Sequence, residues 1–332
     1  MENNNDNSII ALITGITGFV GSHLAEYCLT KPGVKVYGTA LSHHLGDELS
    51  RIQHIKDKVT ILECNLMNRV AVQRVLSLVK PDKIFHLAAQ SFVPVSWESP
   101  EDTLMNNIIS ELNIFEAVRD LKINPVIQIA ASSEEYGLVH QDETPIKETN
   151  PLRPLSPYAV SKIGQEMLAS QYHRSYGLKT VITRCFNTEG PRRGKQFVMS
   201  SFAFQIAAIE RNLQEPILKV GNLEAKRDFT DVRDTAKALW LATEKCAFGE
   251  PYNIGSGKAY KISDILQSLL SFSTKPIEVQ QDPKLLRPSD VPILLCDAEK
   301  FRKAAGWAPQ IPIEQTLLDT LNYWRNELDK RI

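Results

Sequence analysis

The sequence is poor in cysteine and shows no cysteine pairs. Five cysteines stand singly in 332 residues. None has the short paired spacing that is typical of a zinc site or a disulfide framework. We therefore expect reduced thiols and no metal site, which favours a reducing compartment such as the cytoplasm. The five are Cys28, Cys64, Cys185, Cys246 and Cys296.

An excess of charge and a long apolar run are also missing. The 38 lysines and arginines balance 39 aspartates and glutamates, and the formal net charge is -1. Without a basic block, the sequence gives no support to nucleic-acid binding. No apolar run approaches the ~20 residues needed to cross a bilayer. The polar, acidic first residues do not resemble a secretory signal, so we expect a cytoplasmic protein without a membrane segment.

Short apolar runs alternate with amphipathic stretches through the first half of the chain. This alternation predicts an α/β fold with a doubly wound parallel sheet of the Rossmann type, which binds ligands beyond the carboxyl ends of its strands. From about Asn187 proline and glycine become frequent, which predicts a smaller α/β substrate-binding region over 187–330. The Rossmann domain would cover 8–186, with some later segments returning to it. The predicted strands are Ile9–Thr14, Val34–Gly38, Val59–Cys64, Lys83–Leu87, Val126–Ala130 and Leu178–Arg184, and two later predicted helices are Ser263–Leu270 and Ile313–Leu328.

Three glycines follow the first predicted strand in the pattern Gly-x-x-Gly-x-x-Gly, just before a predicted helix start at Ser22. Glycines there permit a tight turn and close approach of the backbone to a pyrophosphate, and the helix N-terminus offers free N–H groups. An ordinary strand-to-helix turn is the alternative. Placed at the first strand of a βα series, the pattern favours dinucleotide binding. The candidate cofactor residues are Gly15, Thr17, Gly18, Phe19, Val20 and Gly21.

The stretch after the second predicted strand should read the adenosine ribose, with an acid for NAD or an arginine for NADP. Tyr37–His44 contains neither, so the choice between NAD and NADP stays open. His43 and His44 are interpreted as solvated loop residues. Asn65, after the third predicted strand, is a candidate for contact with the adenine, or an ordinary loop residue.

A tyrosine and a lysine are spaced for chemistry in Ser156-Pro157-Tyr158-Ala159-Val160-Ser161-Lys162. Pro157 favours a helix start, which puts Tyr158 and Lys162 one turn apart on one face. An ammonium near a phenol favours the phenolate, so we expect Lys162 to lower the pKa of Tyr158 for proton exchange with a sugar hydroxyl. Ser132 lies just after the fifth predicted strand and supplies a hydroxyl.

With the glycine turn, His86-Leu87-Ala88-Ala89-Gln90, Ser132-Ser133-Glu134 and Tyr-x-x-x-Lys, the chain resembles the extended short-chain dehydrogenase/reductase family. Within it, the chain is similar to the GDP-mannose 4,6-dehydratases and the GDP-4-keto-6-deoxy-mannose reductases. The resemblance implies that Tyr158 is the catalytic acid/base, that Lys162 also holds the nicotinamide ribose, and that Ser132 bonds the sugar oxygen. It adds further cofactor contacts at Leu66, Leu87, Ala88 and Ala89.

Among the dehydratases, a glutamate at the position of Glu134 removes the C5 proton of a 4-keto intermediate. A carboxylate suffices because the neighbouring ketone acidifies that carbon. A GDP-sugar substrate also calls for guanidinium groups at its diphosphate. The resemblance therefore implies a substrate site of Gln90, Ser91, Ser133, Asn187, Arg193, Arg227 and Arg287.

Two enzymatic readings stay open. Pro191-Arg192-Arg193-Gly194 and Glu134 favour the dehydratase, whereas reductases of the group carry the same Ser-Ser-Glu run. The chain also departs from the dehydratase pattern, with Ser132 in place of threonine and Ser110-Glu111 in place of a common Gly-Thr pair. A nucleotide sensor would keep the glycine turn but lose the catalytic pair. The resemblance further implies a homodimer or homotetramer, paired through helices near 101–121 and 157–176.

Overall fold

The structure is a computed structural model that describes residues 8–41, 47–286 and 291–330. Its strands form from the short apolar runs of the sequence. In the described part of the chain they are β1 (Ile9–Thr14), β2 (Val34–Ala40), β3 (Val59–Glu63), β4 (Lys83–His86), β5 (Val126–Ser132), β6 (Lys179–Cys185), β7 (Asn187–Glu189), β8 (Ile217–Val220), β9 (Lys226–Asp231), β10 (Pro251–Ile254), β11 (Ala259–Lys261), β12 (Glu278–Gln281) and β13 (Ile293–Leu294).

The helices connect these strands and cover the sheets. Over the same described residues they are α1 (Phe19–Leu29), α2 (Arg69–Val79), α3 (Val93–Glu98), α4 (Pro100–Asp120), α5 (Pro157–Tyr176), α6 (Val198–Glu210), α7 (Val232–Lys245), α8 (Ile262–Ser271), α9 (Glu299–Ala305) and α10 (Ile313–Asp329). None of these helices combines the length and the apolar character that a bilayer span requires.

Seven parallel strands make the main sheet, in the order β3-β2-β1-β4-β5-β6-β10. The chain adds β2 and β3 on one side of β1 and then adds β4, β5 and β6 on the other side. The switch point, where Rossmann folds bind dinucleotides, therefore lies between β1 and β4. Helices α1 and α7 cover one face and α2, α4 and α5 the other, each over its own apolar cluster. Strands buried on both faces explain the nearly continuous apolar runs in the sequence.

The chain beyond 187 contributes to a second, smaller layer. Strand β9 pairs with β7, β11 and β13, and β8 pairs with β12. Helices α6, α8 and α10 pack around a separate apolar cluster that includes Phe202, Leu218 and Leu317. Strand β10 returns to the edge of the main sheet and α7 packs on its face. The division into a cofactor-binding domain before Asn187 and a substrate-binding region after it stays a prediction.

Most predicted elements lie within two residues of the observed ones, and the fold class is confirmed. Helix α1 differs, because it begins at Phe19 rather than at Ser22. Gly18 is extended at the N-cap, so the helix starts inside the glycine pattern. This brings the helix N-terminus directly to the carboxyl end of β1.

Candidate active site

A cleft of about 1130 Å³ opens at the carboxyl ends of the main-sheet strands. It is lined by both layers, and a cleft of this size can hold a dinucleotide together with a second ligand. Of the predicted site residues, Arg287 lies outside the described residues. All of the others line the cleft: Gly15, Thr17, Gly18, Phe19, Val20, Gly21, Asn65, Leu66, Leu87, Ala88, Ala89, Gln90, Ser91, Ser132, Ser133, Glu134, Tyr158, Lys162, Asn187, Arg193 and Arg227.

The glycine turn forms one end of this cleft. Gly15 has a φ of 68°, a conformation that favours glycine. A Cβ atom on Gly21 would lie 2.3 Å from the carbonyl oxygen of Gly15, so only glycine lets the helix pack this closely. No side chain caps the N-terminus of α1 at Gly18. Backbone N–H groups at such an end fit a pyrophosphate.

The hydroxyl of Thr14, at the end of β1, forms hydrogen bonds with the backbone that follows β4. The Oγ1 of Thr14 accepts hydrogen bonds from the backbone N–H groups of Leu87 and Ala88, both at 3.1 Å. It also lies 3.0 Å from Nδ1 of His86. These bonds fix the Leu87–Ala89 backbone against the glycine turn, where the sequence predicts cofactor contact.

The adenosine end of the cleft contains a residue that the motifs did not identify. Arg51 reaches it from a 3-10 helix (Asp47–Lys58) and donates to the carbonyl oxygens of Thr17 and Arg192. Asn65 also lies here, with its Oδ1 accepting from the N–H of Met67 at 3.0 Å. The predicted solvated loop residues His43 and His44 fall outside the described residues.

The start of α5 places the catalytic candidates. Ser156 caps the helix by accepting from the N–H of Ala159, and Pro157 is its first residue, as predicted. Tyr158 and Lys162 are 8% and 4% exposed, and the Lys162 Nζ lies 5.9 Å from the centre of the tyrosine ring. The Ser132 side chain lies close enough to the Tyr158 phenol to favour the ionised form of the phenol. A hydroxyl, a phenol and an ammonium therefore meet in the cleft.

The electrostatics of this pair differ from the prediction. Burial raises the pKa of Tyr158, and the nearby Ser132 side chain opposes that rise only in part. The Lys162 Nζ instead donates to the carbonyl oxygen of Ala130 at 2.7 Å and to Oε1 of Gln165 at 2.8 Å. Burial also lowers the pKa of Lys162 to about 8. The predicted lowering of the tyrosine pKa is wrong, because desolvation outweighs the lowering influences of Ser132 and of the Arg193 charge.

The two adjacent glutamates at the end of β5 lie in different surroundings. Glu134 is half-buried, lines the cleft and lies close enough to Tyr158 to favour its protonated form. Glu135 is fully buried, and its Oε1 accepts from the backbone N–H of Ser132 at 2.9 Å. As expected from the sequence, Glu135 points away from the cleft. Of the two, only Glu134 lies in the cleft beside Tyr158.

Two of the predicted substrate residues are half-buried arginines that line the cleft. Arg193 stacks on two rings, with its Cζ 3.5 Å from the centre of Phe197 and 4.9 Å from that of Phe19. Within the described chain, its Nε has no hydrogen-bond partner. Arg227 donates to the carbonyl oxygen of Val291 at 2.6 Å. Such guanidinium groups suit phosphate oxygens.

Sequence reasoning missed several residues of this cleft because they belong to no motif. They come from helices and strands that only the folded chain brings together, and no signal in a single sequence marks them. They are Arg51, Trp97, Glu98, Asn106, Lys219 and Lys284.

Known proteins resemble the whole chain. The GDP-mannose 4,6-dehydratase from Vibrio cholerae is 33% identical, over 92% of this chain and 91% of that one. The GDP-6-deoxy-D-mannose reductase from Pseudomonas aeruginosa is 30% identical, over 95% and 97%. The RMD structure from Pseudomonas aeruginosa with NADPH has a TM-score of 0.83 at 28% identity, covering 96% of this chain and 100% of that one.

A solved epimerase shares the same architecture. The UDP-glucose 4-epimerase of Thermus thermophilus in complex with NAD has a TM-score of 0.84 at 29% identity, over 96% of this chain and 99% of that one. The family model described as GDP-mannose 4,6 dehydratase matches residues 12–320. The resemblance predicted from the motifs is thereby confirmed, and the chain belongs to the GDP-mannose 4,6-dehydratase family.

Proposed function

We propose that this protein is a GDP-mannose 4,6-dehydratase that oxidises the sugar at C4, removes water across C5 and C6, and returns the hydride to C6. The curated relatives at about 33% identity carry this activity in their names. The cleft adds chemical support, since it joins a glycine turn for a dinucleotide to a cation-rich wall for a diphosphate.

The observation that carries the proposal is the position of Glu134. A 4,6-dehydratase needs a base for the C5 proton besides the group that exchanges the C4 hydroxyl proton. Glu134 and Tyr158 line the same cleft and lie close to each other. Each proton thus has its own acceptor.

Each residue has one role in this mechanism. Bound NAD(P) supplies the hydride acceptor and donor. Tyr158 exchanges the proton of the C4 oxygen, and Ser132 holds that oxygen through its hydroxyl. Lys162 holds the nicotinamide ribose. Glu134 takes the C5 proton and then delivers a proton to the departing C6 hydroxyl.

The substrate would be held by its diphosphate. Arg193 and Arg227 provide guanidinium groups in the cleft, and Arg287 is the third predicted contact. Gln90, Ser91, Ser133 and Asn187 offer hydrogen bonds near the sugar. The stacking of Arg193 on Phe197 orients its planar donors before a ligand arrives.

Two incubations test the proposal. In the first, purified protein receives GDP-mannose and a catalytic amount of NAD(P), and a 4-keto-6-deoxy product is expected. In the second, it receives the 4-keto-6-deoxy sugar and an excess of NAD(P)H. If the first mixture forms no product and the second consumes NAD(P)H, the protein is a reductase and the dehydratase proposal is wrong.

The reductase is the second candidate because of a specific likeness. The Pseudomonas aeruginosa reductase aligns over 97% of its own length and the RMD structure over all of it. A reductase needs Tyr158, Lys162 and Ser132 but no base for C5. The role of Glu134 therefore separates the two candidates.

We further infer a homodimer or homotetramer that pairs through α4 and α5. Apolar side chains on these helices are about half exposed, namely Met105, Val160, Met167 and Tyr176. Light scattering should give a mass of at least two chains, and Met167→Asp should reduce it to one. A cytoplasmic location is inferred from the five unpaired cysteines.

A further inference from the structure

The loop that follows β7 carries Arg193, which lines the cleft. The preceding residue, Arg192, has a φ of 72°, in the left-handed region that is unfavourable for a residue with a side chain. A residue stays in this region only where its surroundings hold it there. Among the described residues, Arg192 is not part of the cleft lining. Its own contacts therefore indicate what holds this loop in place.

The Arg192 side chain is bound to helix α1. It is 11% exposed, and its Nη1 and Nη2 donate to the two carboxyl oxygens of Glu26 at 2.8 and 2.7 Å. His23, one turn earlier on α1, adds two contacts. Its Nδ1 lies 2.6 Å from Nη2 of Arg192, and its Nε2 lies 2.9 Å from the carbonyl oxygen of Pro191. Because a bidentate pair of guanidinium and carboxylate fixes the orientation of both groups, the loop is held on the helix that begins at the glycine turn.

The same arginine is bound to the 3-10 helix at the adenosine end. Its Nη1 also donates to the carbonyl oxygen of Arg51 at 2.9 Å, and Nε of Arg51 donates in return to the carbonyl oxygen of Arg192 at 3.2 Å. Nη1 of Arg51 donates to the carbonyl oxygen of Thr17 in the glycine turn at 3.3 Å. His54 of this 3-10 helix also contacts Glu26. Arg192 therefore joins the loop to two elements of the cofactor end.

Arg193 has different surroundings from Arg192. Its Cζ lies 4.9 Å from the ring centre of Phe19, the first residue of α1, and 3.5 Å from that of Phe197. Its carbonyl oxygen accepts from Oγ of Ser200 at 2.7 Å, which gives the loop a second anchor. Since the two arginines are adjacent in the chain, the position of the Arg193 guanidinium in the cleft depends on where Arg192 is held.

We propose that Arg192 is a positioning residue: bound to Glu26, it holds the 190–194 loop on α1 and so fixes the Arg193 guanidinium where it can bind the diphosphate of a nucleotide ligand. This inference rests on the proposed function for the diphosphate, but not for the dehydration step. In the described part of the chain, Glu26 does not line the cleft. An effect of Glu26 on ligand affinity must therefore act through Arg192 or through the field of its charge.

These two routes predict effects of opposite sign. Burial alone would raise the pKa of Glu26, but its bonds with His23 and Arg192 hold that pKa well below the usual value, so the group is a carboxylate at neutral pH. If only the field acts, removal of a negative charge strengthens the binding of an anion. If Arg193 loses its position, the binding weakens. Glu26→Gln therefore distinguishes positioning from electrostatics.

The test measures the Kd of GDP for the full chain by calorimetry. We expect Glu26→Gln to raise this Kd by about 3–10-fold, less than the loss of the Arg193 bonds themselves would cause. Glu26→Asp keeps a carboxylate and should lose less affinity. Unchanged or tighter binding of GDP by folded Glu26→Gln would overturn the proposal.

Glu210→Gln is the matched control. It breaks a bidentate pair with Arg325, at 2.8 and 2.7 Å, that joins α6 to α10. Over the described residues, neither partner lines the cleft. The Kd of GDP should therefore stay unchanged in this variant, and a loss equal to that of Glu26→Gln would contradict a specific role for Arg192.

Two further variants show whether the effect passes through Arg193. Arg192→Gly removes the side chain but suits the φ of 72°, so the loop backbone stays favourable while GDP should still bind more weakly. In the Arg193→Ala background, Glu26→Gln should weaken GDP binding no further, because the group that it positions is gone. Thermal unfolding identifies the folded variants. Full affinity in Arg192→Gly, or an additive loss in the double variant, would reject the proposal.

The Kd of NADPH completes the test. It should stay nearly unchanged in Glu26→Gln, because the glycine turn is held by its own backbone contacts, such as that between Gly21 and Gly15. Equal losses of affinity for NADPH and GDP would show that the whole cofactor end had moved, and would overturn the role of Arg192. A protein that shows the expected GDP losses but fails to dehydrate GDP-mannose would lose the proposed function and keep this inference. The reverse result would keep the function and reject the inference.

Discussion

The two walls of the cleft are built in different ways. The cofactor wall consists of backbone and small side chains at strand ends, such as the Gly15–Gly21 turn and Leu87–Ala89, held by the Thr14 hydroxyl. The proposed substrate wall contains long cationic side chains, among them Arg193, Arg227 and Lys284. Under this proposal the first wall would fix the cofactor by shape, whereas the second would bind the substrate by charge. Substitutions should therefore affect the two walls differently.

The largest expected effect lies between the walls, at Tyr158→Phe. Loss of the phenol oxygen removes proton exchange with the sugar, so turnover should fall by about 10²–10⁴-fold. NADPH affinity should stay nearly unchanged, because the ring and Lys162 remain in place. Stopped-flow turnover and calorimetric binding measure the two quantities. Unchanged turnover would remove Tyr158 from the chemistry.

Glu134→Gln tests the base for the C5 proton. An amide cannot accept the proton, so dehydration should fall by about 10²–10³-fold. Glu134→Asp is the matched control that keeps a carboxylate, and it should retain more activity than the glutamine variant. Product formation from GDP-mannose is the measurement. Full dehydration by the glutamine variant would contradict the proposed role of Glu134 as the base for the C5 proton.

Arg193→Ala tests the charge-based wall. Loss of charge-assisted bonds, worth about 1.5–3 kcal/mol, should raise KM for the GDP-sugar by about 10–100-fold. NADPH affinity should change little if the walls act separately. Arg193→Lys keeps the charge but not the planar fork and should lie between the two. Equal losses of affinity for the GDP-sugar and for NADPH would contradict the separation of the cleft into two independent walls.

Gly21→Ala tests the shape-based wall. The added Cβ would meet the carbonyl oxygen of Gly15 at 2.3 Å and the Ile16 Cα at 3.0 Å, so the turn must open. Overpacking of this kind costs about 1–3 kcal/mol of unfolding free energy. NADPH affinity should fall with it, while the cation wall is untouched. Gly177→Ala is a comparison at a helix end where an added Cβ meets nothing but the φ of 72° disfavours alanine, so it should lower stability without lowering NADPH affinity. Unchanged stability and affinity at Gly21 would refute the close-packing argument.

The sequence predicted the cofactor wall better than the substrate wall. Its strands are local apolar runs and its turn is a local glycine pattern, so both can be read from neighbouring residues. Lys219 and Lys284, and also Arg51 at the adenosine end, were missed because each enters the cleft from an element distant in sequence. The start of α1 was placed three residues late, because Gly18 gives no side-chain cap to mark it.

The sequence by itself determined the parallel sheet, the tyrosine and lysine one turn apart, and the family, because each depends on local spacing. The tertiary structure decided the charge states, because burial depends on every element that packs around a group. It raised the pKa of Tyr158 where the sequence predicted a lowering. It also brought Asn107 on α4 to Ser161 on α5, where the amide donates a hydrogen bond to a hydroxyl 54 positions away in the sequence.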